Sequence, residues 1–345
     1  MDALFDLGRK LPTTKMIALQ VRDHGVESLD QAQRRADDAR YQEVTCRSAL
    51  NPVKGMPFNW TLNPYRGCTH GCHYCFARRY HTQFELGFGD EFSSLIFVKT
   101  NFPDVLRREL DRPSWTREQV ALGTATDPYQ PIEGQYKLTR RVLEALIAAR
   151  TPVGIVTKGP MIVRDRELLV ELTRVAGCTV CISVPTVDED AWSALEPGTA
   201  HPMQRLRAVR TLREAGVRAG VLMMPVVPGF TTQPSKLDAT VKAVADHNAA
   251  FLGANVMYLK GGTRDHFMGF LEREFPHMVE GYDRLYAGAY AAPDYVKQVR
   301  AMIEMCKGRH GMAGKTREFE DAEPDETMTR AAIEPQQASL RFSRR

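Results

Sequence analysis

Short apolar runs alternate with amphipathic stretches along the middle of the chain, and this alternation restricts the possible folds more than any other feature. The runs Phe58 to Asn63, Ser94 to Lys99, Val120 to Thr126, Val153 to Lys158, Thr179 to Val184, Gly220 to Val226 and Asn255 to Lys260 have the length and composition of strands. Between most of them, Leu138 to Ala149, Asp165 to Val175, Gln204 to Glu214 and Pro234 to Asp246 carry apolar residues three and four apart, which is helical spacing. Strands alternating with helices build βαβ units around a parallel sheet, so a partial or complete α/β barrel is expected. In such a barrel the functional groups gather at the C-terminal ends of the strands.

One connection in this scheme differs in kind from the others. The run TLNPYRGCTHGCHYCFARRYH holds Cys68, Cys72 and Cys75 in C-x3-C-x2-C spacing. Thiolates this close on one loop can converge on a single metal centre, whereas buried unpaired thiols gain nothing from adjacency. An iron–sulfur cubane normally takes four thiolates, so three would leave one iron open to a ligand from outside the protein. The alternative is a structural zinc ion with His70, His73 or His81 as fourth ligand. Zinc modules usually supply ligands as two pairs, and the other close pair, Cys178 and Cys181 in GCTVCISVP, sits on a strand with its members pointing to opposite faces. Residue chemistry leaves both metals open.

The string NPYRGCTHGCHYCFAR, with Tyr74 just before the last cysteine, resembles the three-cysteine signature of radical S-adenosylmethionine (SAM) enzymes. The flank Asn63 to Gly67 and the runs GTATDPYQPIE, TKGPMIVRD and VLMMPVVPG are similar to the spore-photoproduct-lyase-related group called DNA repair photolyases, over roughly residues 46 to 300. The resemblance implies a partial (β/α)6 TIM-like barrel of α/β class. It implies a 4Fe-4S cluster on Cys68, Cys72 and Cys75 whose open iron binds the amino and carboxylate groups of SAM. It also implies a 5′-deoxyadenosyl radical that abstracts hydrogen, an electron donor of flavodoxin or ferredoxin type, and a damaged or modified nucleic acid as substrate. One departure stands out: spore photoproduct lyases return hydrogen from a downstream cysteine, and LGTATDPYQ contains none. Tyr129 and Tyr136 are the aromatic candidates for that task, although aromatic residues in such loops more often pack or stack.

The strand ends supply candidate cofactor contacts. Thr124, Thr126 and Asp127 end one strand and could hold the adenosine or methionyl amine, or cap the next turn. Lys158 is a compact cation suited to the carboxylate of SAM, and Ser183 resembles the cofactor-contacting serine of the lyases by location. Glu196, before Pro197, could bind a ribose hydroxyl or pair with Arg205. Pro225, Pro228 and Gly229 end a strand where the ladder stops and are expected to shape the adenine pocket, with Met223 and Met224 as core filling.

The remaining features bound the setting. At 345 residues and 43% hydrophobic content the chain can bury one large core. The expected divisions are an N-terminal extension over 1–57 with the helical run LDQAQRRADDARYQ, a barrel over 58–290, a C-terminal helix over 291–312, and a flexible tail over 313–345. A net charge of +4 with pI near 8.6 falls short of a nucleic-acid signature by itself. Locally, Arg66, Arg78, Arg79 and His81 bracket the cysteines and could meet phosphates or hydrogen-bond loop carbonyls. Seven cysteines without a signal-peptide core or an apolar run of about 18 residues point to a reducing cytoplasm and no membrane, with Cys46 and Cys306 as plain thiols. In the tail, Gln337 to Phe342 has the Q-x-x-L-x-F form of sliding-clamp peptides. Two other functions compete: a zinc-binding nucleic-acid module, and radical modification of a peptide. Enzymes of the latter kind often carry extra cysteine clusters, and here the C-terminal part has only Cys306.

Overall fold

The computed structural model describes residues 39–80 and 91–315. The helical run ahead of Ala39, His81 and the clamp-like string Gln337 to Phe342 lie outside the described residues. Ten strands appear in chain order: β1 Arg40–Val44, β2 Asn51–Pro52, β3 Trp60–Leu62, β4 Tyr65–Arg66, β5 Leu95–Lys99, β6 Val120–Leu122, β7 Val153–Thr157, β8 Cys178–Ser183, β9 Arg218–Val226 and β10 Leu252–Val256. They form a seven-stranded sheet in the order β10-β9-β8-β7-β6-β3-β2 and a three-stranded sheet β1-β5-β4. In the larger sheet β3 and β6 through β10 are mutually parallel, with β2 antiparallel on the edge beyond β3. This is the six-stranded partial barrel of the expected α/β class.

The strands are apolar on both faces because both are covered. Ile155, Val180, Ile182, Val221 and Met223 pack in the main core with helices Leu138–Ala148, Arg166–Val175 and Pro202–Glu214. The alternate residues Val156, Cys181, Leu222 and Met224 form a separate cluster around Phe251. Cys178 falls in the first cluster and Cys181 in the second, so the pair does point to opposite sides of its strand. Gly220 is needed at this second cluster: a Cβ there would meet the Phe251 ring at 2.6 Å.

Four sequence expectations need adjustment. The run Ser94 to Lys99 is a strand outside the barrel; β5 pairs with β1 and β4 and carries the entrance to the cysteine loop. The end of the charged run, Arg40 to Gln42, is strand rather than helix, paired in parallel with Leu95 to Phe97. The last barrel strand is Leu252–Val256, earlier than the expected Asn255 to Lys260. Met257 to Lys260 leave the sheet, and Tyr258 keeps only an isolated bridge to Tyr290. Finally, β9 continues through Pro225 to Val226; the pairing with β10 shifts register there, between Ala254 and Val256, so the proline sits at an irregularity rather than beyond the ladder. The C-terminal helix runs Pro293–Arg309 and packs on β10 and helix Pro234–Asp246. Among the described residues no helix is long and apolar enough to cross a membrane.

Candidate functional site

The cysteine loop leaves β4 and turns back on itself at each thiol. Gly71 N donates to Cys68 O (3.2 Å), Cys75 N to Cys72 O (3.3 Å) and Arg78 N to Cys75 O (3.3 Å). Gly67 opens the loop at φ +81°, where a Cβ would lie 2.6 Å from the Leu95 carbonyl oxygen. The thiols lie near one another: Cys72 is within electrostatic reach of Cys75 and Cys68, and Cys75 of Cys68. Burial pushes the Cys72 thiol up, against the pull of Lys158.

Buried polar side chains tie the loop down. Gln130, fully buried, accepts from Thr69 N (3.3 Å) and donates to Gly67 O (3.2 Å). Arg78, 1% exposed, donates to Gly71 O (2.9 Å) and Cys72 O (3.2 Å) with its guanidinium 5.3 Å from the Phe92 ring. Of the two roles open to it, Arg78 therefore braces loop carbonyls and is not presented to phosphate. Arg66 likewise donates to Tyr80 O (3.0 Å), leaving Arg79 as the exposed member of that basic group among the described residues.

Of the three imidazoles considered as zinc ligands, His70 and His73 are described, and each has other partners, His70 meeting Asp127 as well as Cys68. His70 Nδ1 lies 3.3 Å from Asp127 Oδ2. Burial opposes a charge on His70, but Cys68 and Asp127 carry its pKa up to about 10. Asp127, despite burial, is held down at about 2 by His70. His73 stacks on Phe270 (ring centroids 4.0 Å apart) and meets His266 at 3.4 Å. Among the described residues no three His, Cys, Asp or Glu side chains close around a single-ion position.

Four of the five strand-end candidates fall into two pairs. Thr126 donates to Tyr65 O (3.2 Å), and Asp127 accepts from Tyr129 N (2.9 Å), Thr157 Oγ1 (2.5 Å) and Lys158 N (2.6 Å). Thr126 thus ties the end of β6 to β4, and Asp127 ties it to the end of β7 and, through His70, to the loop. Lys158 and Ser183 differ. Lys158 Nζ donates to Ser183 Oγ (3.1 Å), its one hydrogen bond among the described residues, and lies 3.7 Å from Glu196 Oε1 and 5.5 Å from the Tyr74 ring centre. Burial opposes the ammonium charge, yet Cys72 and Glu196 raise its pKa above the ordinary lysine value. Glu196 pairs with Arg205 at 2.5 Å, as the ion-pair alternative expected, and also accepts from the Tyr74 hydroxyl. Tyr129 is buried in the main core, and Tyr136 donates to Glu43 (2.7 Å).

Sequence reasoning did not find Gln130, the His70–Asp127 pair or the Tyr74–Glu196 contact. The DPYQ string was visible, but its partners lie about 60 residues away in the chain, beyond any local pattern.

The Radical SAM superfamily profile matches residues 62–238. An uncharacterized protein of Mycobacterium tuberculosis (strain H37Rv) is 39% identical over 308 residues, covering 88% of this chain and 89% of that protein. A radical SAM Nalpha-GlyT isomerase of Pseudomonas phage M6 is 28% identical over 171 residues, 49% of this chain and 33% of that one. Among solved structures, a spore photoproduct lyase mutant with bound AdoMet and dinucleoside spore photoproduct superposes with a TM-score of 0.61 at 14% identity, over 81% of this chain and 82% of that one. At that identity the likeness concerns the fold.

Proposed function

The chain belongs to the radical SAM superfamily and is an enzyme of that kind; from this premise we propose that Cys68, Cys72 and Cys75 hold a 4Fe-4S cluster and that Lys158 and Ser183 receive the carboxylate of SAM. The observation that carries the reading is the unspent charge of Lys158. Arg205 and Lys158 supply two cations against the single carboxylate of Glu196, and the ammonium keeps donors to spare directly beside the thiols. A buried cation with unused donors is suited to an incoming anionic group. The residues fit the cluster as well: three thiols lie within each other's electrostatic reach on one braced loop, and Arg78 and Gln130 occupy the loop carbonyls that would otherwise compete for solvent. Thr126 and Asp127 act by fixing the strand ends around Lys158, whose main-chain N–H Asp127 accepts.

When bound, such a cluster supplies the electron that cleaves SAM to the 5′-deoxyadenosyl radical. The protein's part is to orient the cofactor through Lys158 and Ser183 and to keep water from the lumen above Leu222, Met224 and Phe251. The substrate in this reading is a modified or damaged nucleic acid, with an electron donor of flavodoxin or ferredoxin type. Supporting it, the solved lyase of like fold holds a dinucleoside, and the surface next to Cys75 exposes aromatic and cationic side chains. Phe76 is 46% and Tyr290 54% exposed, Tyr290 packs on Tyr258, and Arg79 lies over the Phe76 and Tyr80 rings. Nucleic-acid bases stack on such groups.

The test is iron, sulfide and zinc content with a visible spectrum on protein purified without oxygen, then dithionite reduction with SAM. Iron together with 5′-deoxyadenosine is the expected result. Zinc alone, with no iron uptake on reconstitution, would overturn the cluster and return the protein to the zinc-module alternative. Anisotropy titration with single-stranded and duplex DNA and with RNA tests the substrate class; absence of binding to all three would favour a peptide substrate.

A further inference from the structure

The cysteine loop is also clasped from the far side of the barrel, by the segment that follows β8. His73 N donates to Leu195 O (3.1 Å) and Gly198 N donates to His70 O (3.1 Å), so two main-chain bonds join loop and segment. The third link is a side-chain contact, from the Tyr74 hydroxyl to Glu196 Oε1. Glu196 is 2% exposed, and its carboxylate is locked from behind: Arg205 Nη2 donates to Oε2 at 2.5 Å, and Arg205 Nη1 donates to Ser183 O at 2.9 Å. The same serine accepts from Lys158 through its hydroxyl (3.1 Å). Burial works against the Glu196 carboxylate, and Arg205 followed by Lys158 holds it below the ordinary carboxylate value.

We propose that Glu196 is a positioning residue: by latching Tyr74 it sets the three-cysteine loop at a fixed separation from Lys158 and Ser183, and cofactor affinity depends on that separation. The inference rests on the radical-enzyme reading above. Its basis is geometric. The loop's own turns fix the thiols relative to one another, Gln130 and Arg78 brace its carbonyls, and Asp127 joins His70 to the main chain of Lys158 from the β6 side; the Tyr74–Glu196 contact is the link that reaches the Lys158 ammonium and, through Arg205, Ser183. Glu196 alone among the described carboxylates contacts the loop, Lys158 and Arg205 together. A ligand that spans loop and lysine feels an error in their separation at both ends. Glu196 itself needs no contact with the cofactor.

Tyr74→Phe isolates the latch. It keeps the ring beneath Lys158 and both main-chain bonds and removes only the hydroxyl, leaving Glu196 satisfied by Arg205 and by Thr199 Oγ1 at 3.3 Å. On anaerobically loaded protein we expect iron content equal to wild type, a dissociation constant for SAM in equilibrium dialysis about tenfold higher, as for one lost hydrogen bond to a charged group, and a weakened SAM-induced change in the electron paramagnetic resonance spectrum of the reduced cluster. Glu196→Gln keeps a hydrogen-bond partner for Tyr74, the amide carbonyl accepting from Arg205 and the amide N–H donating to the phenol oxygen, while removing the charge; it should lower the melting temperature yet bind SAM within about threefold of wild type and retain the spectral change. Wild-type affinity and spectrum in Tyr74→Phe would overturn the proposal. So would iron lost from that variant in step with its melting temperature, which would make the contact merely structural, or a spectral change as weak in Glu196→Gln as in Tyr74→Phe. Wild-type protein that takes up no iron would defeat the underlying functional reading instead, so the two failures are distinguishable.

Discussion

Two buried ionic networks flank the barrel, and they differ in how their charges close. On one side Glu133 and Asp165, both fully buried, face Arg164 and Arg140: Arg164 Nη2 lies 2.9 Å from Glu133 Oε1 and 2.8 Å from Asp165 Oδ2, and Arg140 Nη1 lies 2.8 Å from Asp165 Oδ1. Tyr65 completes it by donating to Glu133 at 2.5 Å. The two buried carboxylates meet two guanidiniums, and the exposed Glu167 takes Arg140 Nη2 at 2.6 Å, so the network leaves no cation without a carboxylate. On the other side one carboxylate, Glu196, meets Arg205 and Lys158, and the lysine retains donors beside the thiols. Closed networks of this kind hold elements together, whereas an open one in a lumen is a place to bind.

That contrast can be broken or sharpened by substitution. The largest effect is expected at the thiols: Cys72→Ala should abolish iron uptake while the far-ultraviolet dichroism stays that of the wild type, and an unchanged iron content would remove the loop from metal binding. Next, Glu133→Ala removes the buried acceptor of the Tyr65 hydroxyl and Thr139 N and leaves Arg164 to Asp165 alone, and it should lower unfolding stability by about 1–3 kcal/mol in urea titrations, with the SAM affinity of the folded fraction unchanged; a loss of affinity would mean that the closed network also serves the site. Lys158→Ala is expected to do the reverse. It leaves Glu196 paired to Arg205, so stability should change by about 1 kcal/mol or less, while SAM binding weakens by about 1.5–3 kcal/mol, the worth of a hydrogen bond to a charged group. Equal affinity in that variant would take lysine out of the proposed site. The smallest effect is assigned to the barrel lumen, where Gly220→Ala should cost about 1–3 kcal/mol by forcing the Phe251 ring aside, without altering iron content.

Much of this was legible in the chain. The apolar runs and the three- and four-residue spacing located five of the six parallel strands, and helix Pro234–Asp246 has the limits expected for it. The last strand was displaced because NVMYLK continues the apolar run past the point where the sheet ends, and local pattern does not register loss of a neighbour. The accessory role of β5 was likewise hidden, since LIFVK reads as a barrel strand until β1 and β4 are found beside it. At the site, Lys158 and Ser183 stood out as polar residues ending apolar strands. The role of Arg78 could not be separated from phosphate binding until its burial against Gly71 and Cys72 was known.

By itself the sequence determined the order of βα units and the loop that carries the three thiols, because periodicity and spacing are local quantities written along the chain, and the string around those thiols carried the resemblance to the family. Tertiary structure alone decided which charges close on one another. Glu133 and Glu196 are both glutamates near the strand ends, and nothing beside them in sequence says that one meets matched arginines while the other shares an excess of cations with a tyrosine more than a hundred residues away. Charge compensation in a low-dielectric interior depends on through-space neighbours, which only the folded chain supplies.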